Sequence, residues 1–111
     1  MKAYIPQKGD FIAVTFNPQS GHEQKGRRPA LVVSNTLFNK ETGLAIVCPL
    51  TTTDRRYPFH VAVTSNPHII GFVMVEQVKS IDYRARKTKL IAKASDDVLD
   101  TVLAILDACI Y

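Results

Sequence analysis

The chain has no tryptophan, two cysteines and five glycines among 111 residues, and no long apolar run. Each shortage excludes something. Without an apolar stretch near the roughly 18 residues that a membrane span needs, no transmembrane helix is expected. The opening MKAYIPQKGD also lacks an apolar core of about 7–15 residues, so it does not read as a secretory signal. Cys48 and Cys109 stand 61 positions apart in apolar surroundings. They lack metal-ligand spacing and make no disulfide framework, so both are expected to be buried small hydrophobes in a reduced, cytoplasmic protein. No metal and no cofactor is expected. Basic residues are missing from one place only. Residues 95–111 hold Asp96, Asp97, Asp100 and Asp107 and no Lys or Arg, so all 14 bases fall in residues 1–94 against six acids, a net of +8 there. Such asymmetry points to a polyanionic partner for the body of the protein.

What is present fits one small domain, residues 1–111, with 46% hydrophobic residues to build a modest core. Residues 11–16 (FIAVTF), 30–35 (ALVVSN) and 44–50 (LAIVCPL) read as strands rich in branched apolar residues. Residues 59–64 alternate as a half-buried strand, and 70–75 form another with Gly71 at a bulge. The segment VKSI, 78–81, continues that strand or bends away. Residues 82–87 (DYRARK) suit a short helix, and TKLIAK a last strand. TLFNKETG, 36–43, ends in glycine and holds one helical turn. Ser95 is an N-cap with Asp96 and Asp97 in the first turn, and Val98, Leu99, Val102, Leu103 and Leu106 recur at helical spacing over about 13 residues. The fold class is mainly β with α: a small SH3-like antiparallel barrel or bent sheet closed by a C-terminal amphipathic helix.

Two polar loops carry the chemistry. The first runs from Asn17 to Pro29 and contains GHEQKGRRP. His22, Glu23 and Arg28 there suit a phosphodiester. Arginine gives fixed bidentate donors to phosphate oxygens, and a carboxylate and an imidazole exchange protons near neutral pH. The second, 51–58 (TTTDRRYP), offers the hydroxyls of Thr51, Thr52 and Thr53, the charges of Arg55 and Arg56, and a stacking face on Tyr57. Each element also has a plain reading: a solvated histidine, a surface ion pair worth little, threonines serving a turn.

The sequence resembles the MazF/PemK family of toxin endoribonucleases, whose fold is related to the CcdB toxins. The likeness runs along nearly the whole chain in order: Gly9-Asp10, Phe16 and Pro18, then GHEQKGRRPALVVSN, CPLTT, the YPF segment and EQVKSIDYRAR. It implies a cytoplasmic homodimer that cleaves single-stranded RNA, often messenger RNA, without a metal, and inhibits translation. It also implies a cognate MazE/PemI-like antitoxin that blocks the RNA site. TLFNKETG resembles the family's dimer contact, with Phe38 as an exposed aromatic there.

The resemblance assigns catalysis to Glu23, Arg28 and Thr51, with His22 at a position held by histidine in PemK-like members. The arginine and aspartate of the PemK branch fall on Met74 and Glu76, so the MazF assignment fits better. Metal-free cleavage uses the 2′-hydroxyl as nucleophile and leaves a 2′,3′-cyclic phosphate and a 5′-hydroxyl. Glu23 is then the base, His22 the acid, Arg28 the group stabilising the phosphorane, and Thr51 the holder of a non-bridging oxygen. Further candidate RNA contacts are Gln24, Lys25, Arg27, Thr52, Thr53, Arg55, Arg56, His60, Gln77, Lys79, Arg84 and Arg86. Two other readings stay open: a CcdB-like gyrase poison, and a non-catalytic RNA-binding barrel that loses affinity with salt.

Overall fold

A computed structural model of the chain describes residues 3–16, 26–64 and 66–111. In order these form β1 (Asp10–Phe16), β2 (Gly26–Val32), α1 (Thr36–Thr42), β3 (Leu44–Thr51), β4 (His60–Val63) and β5 (Gly71–Met74). A 3-10 turn at Val75–Gln77, β6 (Lys79–Asp82), β7 (Lys89–Lys93) and α2 (Asp96–Ile110) follow. The strands make a curled antiparallel half-barrel in the order β4-β5-β3-β2-β1-β7, with β6 paired to β3. The eight-residue β3 causes the curl. Its first half pairs with β6 through Leu44↔Asp82 to Val47↔Lys79, and its end pairs with β5 through Leu50↔Val73 and Thr51↔Phe72. One edge of β3 thus serves two partners, which diverge. Backbone bonding between Thr15 N–H and the Arg86 carbonyl (3.1 Å) draws the segment after β6 over the end of β1.

Period-two alternation sends apolar side chains to both faces, so there are two cores. Phe11, Leu31, Cys48, Leu50, Val61 and Val73 lie on the face covered by α2, where Val102 is wholly buried. Ile12, Val14, Phe16, Ala30, Val32, Val47 and Ile81 fill the inside of the curl. Ser95 caps α2 as its composition predicts: its Oγ accepts from Val98 N–H at 3.3 Å, with Asp96 and Asp97 in the first turn.

Several expectations are corrected. β2 starts at Gly26, so Arg27, Arg28 and Pro29 belong to a strand and not to the loop. Pairing with β1 from Phe16↔Gly26 inward carries the strand out past the apolar run. Pro29 fits because the pairing with β3 begins only at Ala30, leaving its nitrogen on an unpaired edge. Of the segment 82–87, Asp82 ends β6 and 83–87 is a turn, not a helix. The Asp82 carboxylate accepts from Arg84 N–H (3.2 Å) and Ala85 N–H (3.3 Å), and Lys87 takes a left-handed φ of 52°. The segment at 36–42 is a full seven-residue helix, with Asn35 capping it through Phe38 N–H at 2.8 Å. On that helix Phe38 is half-buried and Leu37 is the exposed apolar residue, at 68%. Cys48 is buried as expected; Cys109 is exposed instead, in the last turn of α2, where every residue from 107 to 111 is exposed. Residues 78–81 bend away from β5 to join β3.

Candidate active site

The β1–β2 hairpin decides where Arg28 points. It pairs with Val14, whose side chain is buried inside the curl, and it alternates with Ala30 and Val32 on the same face. Arg28 is exposed, standing past Ala30, the last core residue along β2. Thr51 ends β3 two residues beyond Pro49, which pairs with Ala30. The ladder ends there, and strand alternation carries Arg28 and Thr51, each two residues further along, on the same face of the sheet as Ala30 and Pro49. They stand 23 positions apart in sequence, on strands that the sheet sets side by side.

Thr51 is held from three directions. It pairs with Phe72 of β5, its hydroxyl oxygen accepts from Thr53 N–H at 3.2 Å, and its carbonyl is met closely by Gly71. A Cβ added at Gly71 would sit 2.6 Å from that carbonyl oxygen, and Gly71 has φ +144°. No other residue type fits there without moving the Thr51 backbone. The expected ladder bulge at Gly71 is therefore a close backbone approach instead. Because the Thr51 hydroxyl accepts from Thr53, its own O–H remains a donor for an outside oxygen.

Two further side chains belong to this face. Phe16 closes β1 inside the curl, and the Lys79 ammonium lies 5.2 Å from the centre of its ring. Lys79 pairs with Val47, which points inward, so Lys79 lies on that same face with its charge against the Phe16 ring. One wall of the sheet thus carries a guanidinium, a hydroxyl and an ammonium on the same face, donor types matched to phosphate oxygens.

The other candidates divide. Thr52, Thr53, Arg55 and Arg56 are exposed on the loop after Thr51, where the Asp54 carboxylate accepts from Arg56 N–H (2.9 Å) and Arg56 has φ 51°. Arg27 points to the opposite face from Arg28 and donates to Thr15 Oγ1 (3.1 Å) and the Lys87 carbonyl (2.8 Å). Arg86 donates to the Thr15 carbonyl at 3.4 Å, and the Arg84 guanidinium stands 5.8 Å from the Tyr83 ring. These three arginines brace the closing turn and are not brought to Thr51. Gln77 is half-buried in the 3-10 turn. His22, Glu23, Gln24 and Lys25 lie outside the described residues.

His60 is not the open contact its sequence position allows. Its side chain is 3% exposed, and its Nε2 lies 2.9 Å from the Glu76 carboxylate. Sequence reasoning missed this pair, since sixteen residues separate the two and no spacing rule joins them. Cys48 is no nucleophile: burial, and secondarily the negative charge of Glu76, push its thiol up to about 12. Among the described residues no helix is long and apolar enough to cross a membrane.

Known proteins share this architecture. Residues 7–110 match the family described as PemK-like, MazF-like toxin of type II toxin–antitoxin systems. The chain is 46% identical over 83 residues to the Endoribonuclease toxin MazF of Escherichia coli K12, covering 75% of this chain and 74% of that protein. The crystal structure of MazF from Deinococcus radiodurans superposes with a TM-score of 0.92 at 39% identity, over 97% of this chain and 98% of that one. A MazE–MazF crystal structure from the same organism superposes at 0.87, again at 39% identity and over 97% of both chains.

Proposed function

The chain belongs to the PemK-like, MazF-like toxins of type II toxin–antitoxin systems, and we propose that the Arg28–Thr51 wall is the phosphate-binding part of its RNA-cleaving site. The protein is an endoribonuclease toxin neutralised by an antitoxin of the MazE kind. The gyrase-poison and binding-only readings give way to this one. The observation that supports this reading is that Arg28 and Thr51 share one face of the sheet, each two residues beyond the Ala30↔Pro49 pair.

The roles follow from what each group can do. An RNA strand laid across this face sets one phosphodiester against the wall. Arg28 supplies parallel N–H donors and a permanent positive charge, which stabilises the crowded phosphorane as charge accumulates. A guanidinium gives up its proton reluctantly, so the acid is sought elsewhere. Thr51 donates its hydroxyl to a non-bridging oxygen. Glu23 takes the proton from the 2′-hydroxyl, and that oxygen attacks the adjacent phosphorus. The bond to the 5′-oxygen breaks, and His22 protonates the leaving oxygen. A 2′,3′-cyclic phosphate and a 5′-hydroxyl remain, and no metal takes part. Arg55 and Arg56, with Thr52 and Thr53, hold the strand on either side. The working form is a cytoplasmic homodimer, with α1 and exposed Leu37 in its contact.

The test uses purified protein and a long single-stranded RNA in excess EDTA, with fragment ends mapped. The cut is then repeated with a 2′-deoxy nucleotide at the cleavage position. Cutting in EDTA that vanishes with the 2′-deoxy substitution is the expected result. Cutting that needs a metal, or that survives the substitution, overturns the mechanism.

A further inference from the structure

Among the described residues, one buried side-chain polar atom has no hydrogen-bond partner, and it is His60 Nδ1. Such atoms are rare enough in native folds to ask what the rest of the side chain does. The ring is 3% exposed and stands at the start of β4. Its Nε2 meets the Glu76 carboxylate at 2.9 Å. The proton belongs on Nε2, because a proton on Nδ1 would be a buried donor with no acceptor. One hydrogen bond therefore fixes the orientation of the ring, and the edge of Tyr57 abuts it with ring centres 5.3 Å apart.

The position of this pair gives it a role. The loop 52–59 carries Thr53, Arg55 and Arg56, and every residue in it is exposed. At its near end the loop is tied through Thr51. At its far end His60 N–H donates to the Tyr57 carbonyl (3.0 Å), and Val75 N–H donates to the Phe59 carbonyl (3.1 Å). The His60–Glu76 bond joins the same two segments, β4 and the 3-10 turn, through side chains. Register places His60 beside Met74 on β5, and Thr51 lies beside Phe72 on the other edge of that strand. Both residues are on one face of the sheet.

We propose that His60 and Glu76 are a positioning pair for RNA binding: their hydrogen bond fixes the loop 52–59 at the rim of the Arg28–Thr51 wall and so sets the affinity for the strand. Neither residue touches the reacting phosphate. This rests on the reading of that wall as the RNA site. Thr51 keeps its own anchors on β5 and at Gly71, so loosening the far end of the loop weakens binding and spares the bond-breaking step.

The test compares steady-state cleavage of one single-stranded RNA by the wild type, His60→Phe, His60→Gln and Glu76→Ser, with thermal melting of each chain. His60→Phe keeps a ring but has no donor; His60→Gln places an amide N–H where Nε2 was. The expected result is a KM raised roughly tenfold in His60→Phe with kcat within about twofold, and a KM close to wild type in His60→Gln. Glu76→Ser breaks the pair from its solvated side, where the carboxylate is 27% exposed, and should raise KM in the same way. It is the deciding variant if His60→Phe does not fold. A KM unchanged in the folded pair-breaking variants overturns the proposal, as does a loss in kcat alone. If the wild type itself leaves RNA intact, the reading of the wall has failed instead.

Discussion

Gly71 lies directly against the backbone of Thr51: an added Cβ would stand 2.6 Å from the Thr51 carbonyl oxygen and 3.3 Å from its carbon. The obstacle is main chain, which has no rotamer to swing aside. The φ of +144° adds a second penalty for any L side chain. Gly71→Ala must therefore shift Thr51 relative to Arg28. Cleavage should slow by roughly ten- to a hundredfold through kcat, since small misplacements of a reacting group are that costly. An Ala variant that folds and turns over at the native rate would show that Thr51 is not a reacting group.

Arg28→Ala should lower kcat by about a hundred- to a thousandfold, the usual cost of deleting one donor to a developing oxyanion. Arg28→Lys keeps the charge and loses the planar fork, so it should recover only part of the rate. Equal activity of the Lys variant and the wild type would reduce the role of Arg28 to bulk charge.

The two thiols should differ in reactivity and in what they do to stability. At pH 8 a thiol reagent should label Cys109 quickly and Cys48 only on unfolding, since one is exposed and the other buried. The Cys48 thiol is raised from 9.0 to about 12 in the fold, so its stabilising share is complete below about pH 9 and drains away as the pH climbs towards 12. That share amounts to up to about 4 kcal/mol. Tyr4, whose phenol is also pushed up by burial and by Asp10, adds to the loss above about pH 10. Denaturant melts of wild type and Cys48→Ala at pH 8 and pH 10 separate the two. An identical pH dependence in the variant would remove Cys48 from the account.

Asn39 is wholly buried in α1 and ties three segments together. Its amide donates to the carbonyls of Pro6 (2.8 Å) and Ser34 (3.3 Å), its Oδ1 accepts from the Ser34 hydroxyl, and its own carbonyl accepts from Tyr83 Oη–H at 2.9 Å. Asn39→Leu should cost about 1–3 kcal/mol, because it strands the carbonyl of Pro6 in the interior. A melting midpoint within a degree of wild type would contradict this. Leu37, which faces solvent on the same helix, should tolerate polar replacement in the isolated subunit.

The sequence by itself determined the elements whose signals are local. Ser95 with two following aspartates and the spacing of Val98, Leu99, Val102 and Leu103 set α2, short of its observed end by about two residues. Branched apolar runs located β1, β3 and β7 because side-chain alternation is read within a few residues. The dense loop GHEQKGRRP and the threonine run marked the two polar segments, and the family resemblance they carry set Arg28 and Thr51 in one group with Glu23.

Tertiary structure decided what depends on pairing across the chain. Where β2 begins was fixed by hydrogen bonds to β1, so two arginines and a proline that look like loop became strand. The same alternation then split Arg27 from Arg28, sending one to brace Lys87 and the other to the wall. DYRARK has helical propensity, yet Asp82 turned it, since the chain there has to cross back over Thr15. Nothing local marks Gly71 as the neighbour of Thr51 or Glu76 as the partner of His60. Those contacts arise where the outer edge of β3 changes partner from β6 to β5, and a sheet's register is a property of two strands that neither strand's sequence contains alone.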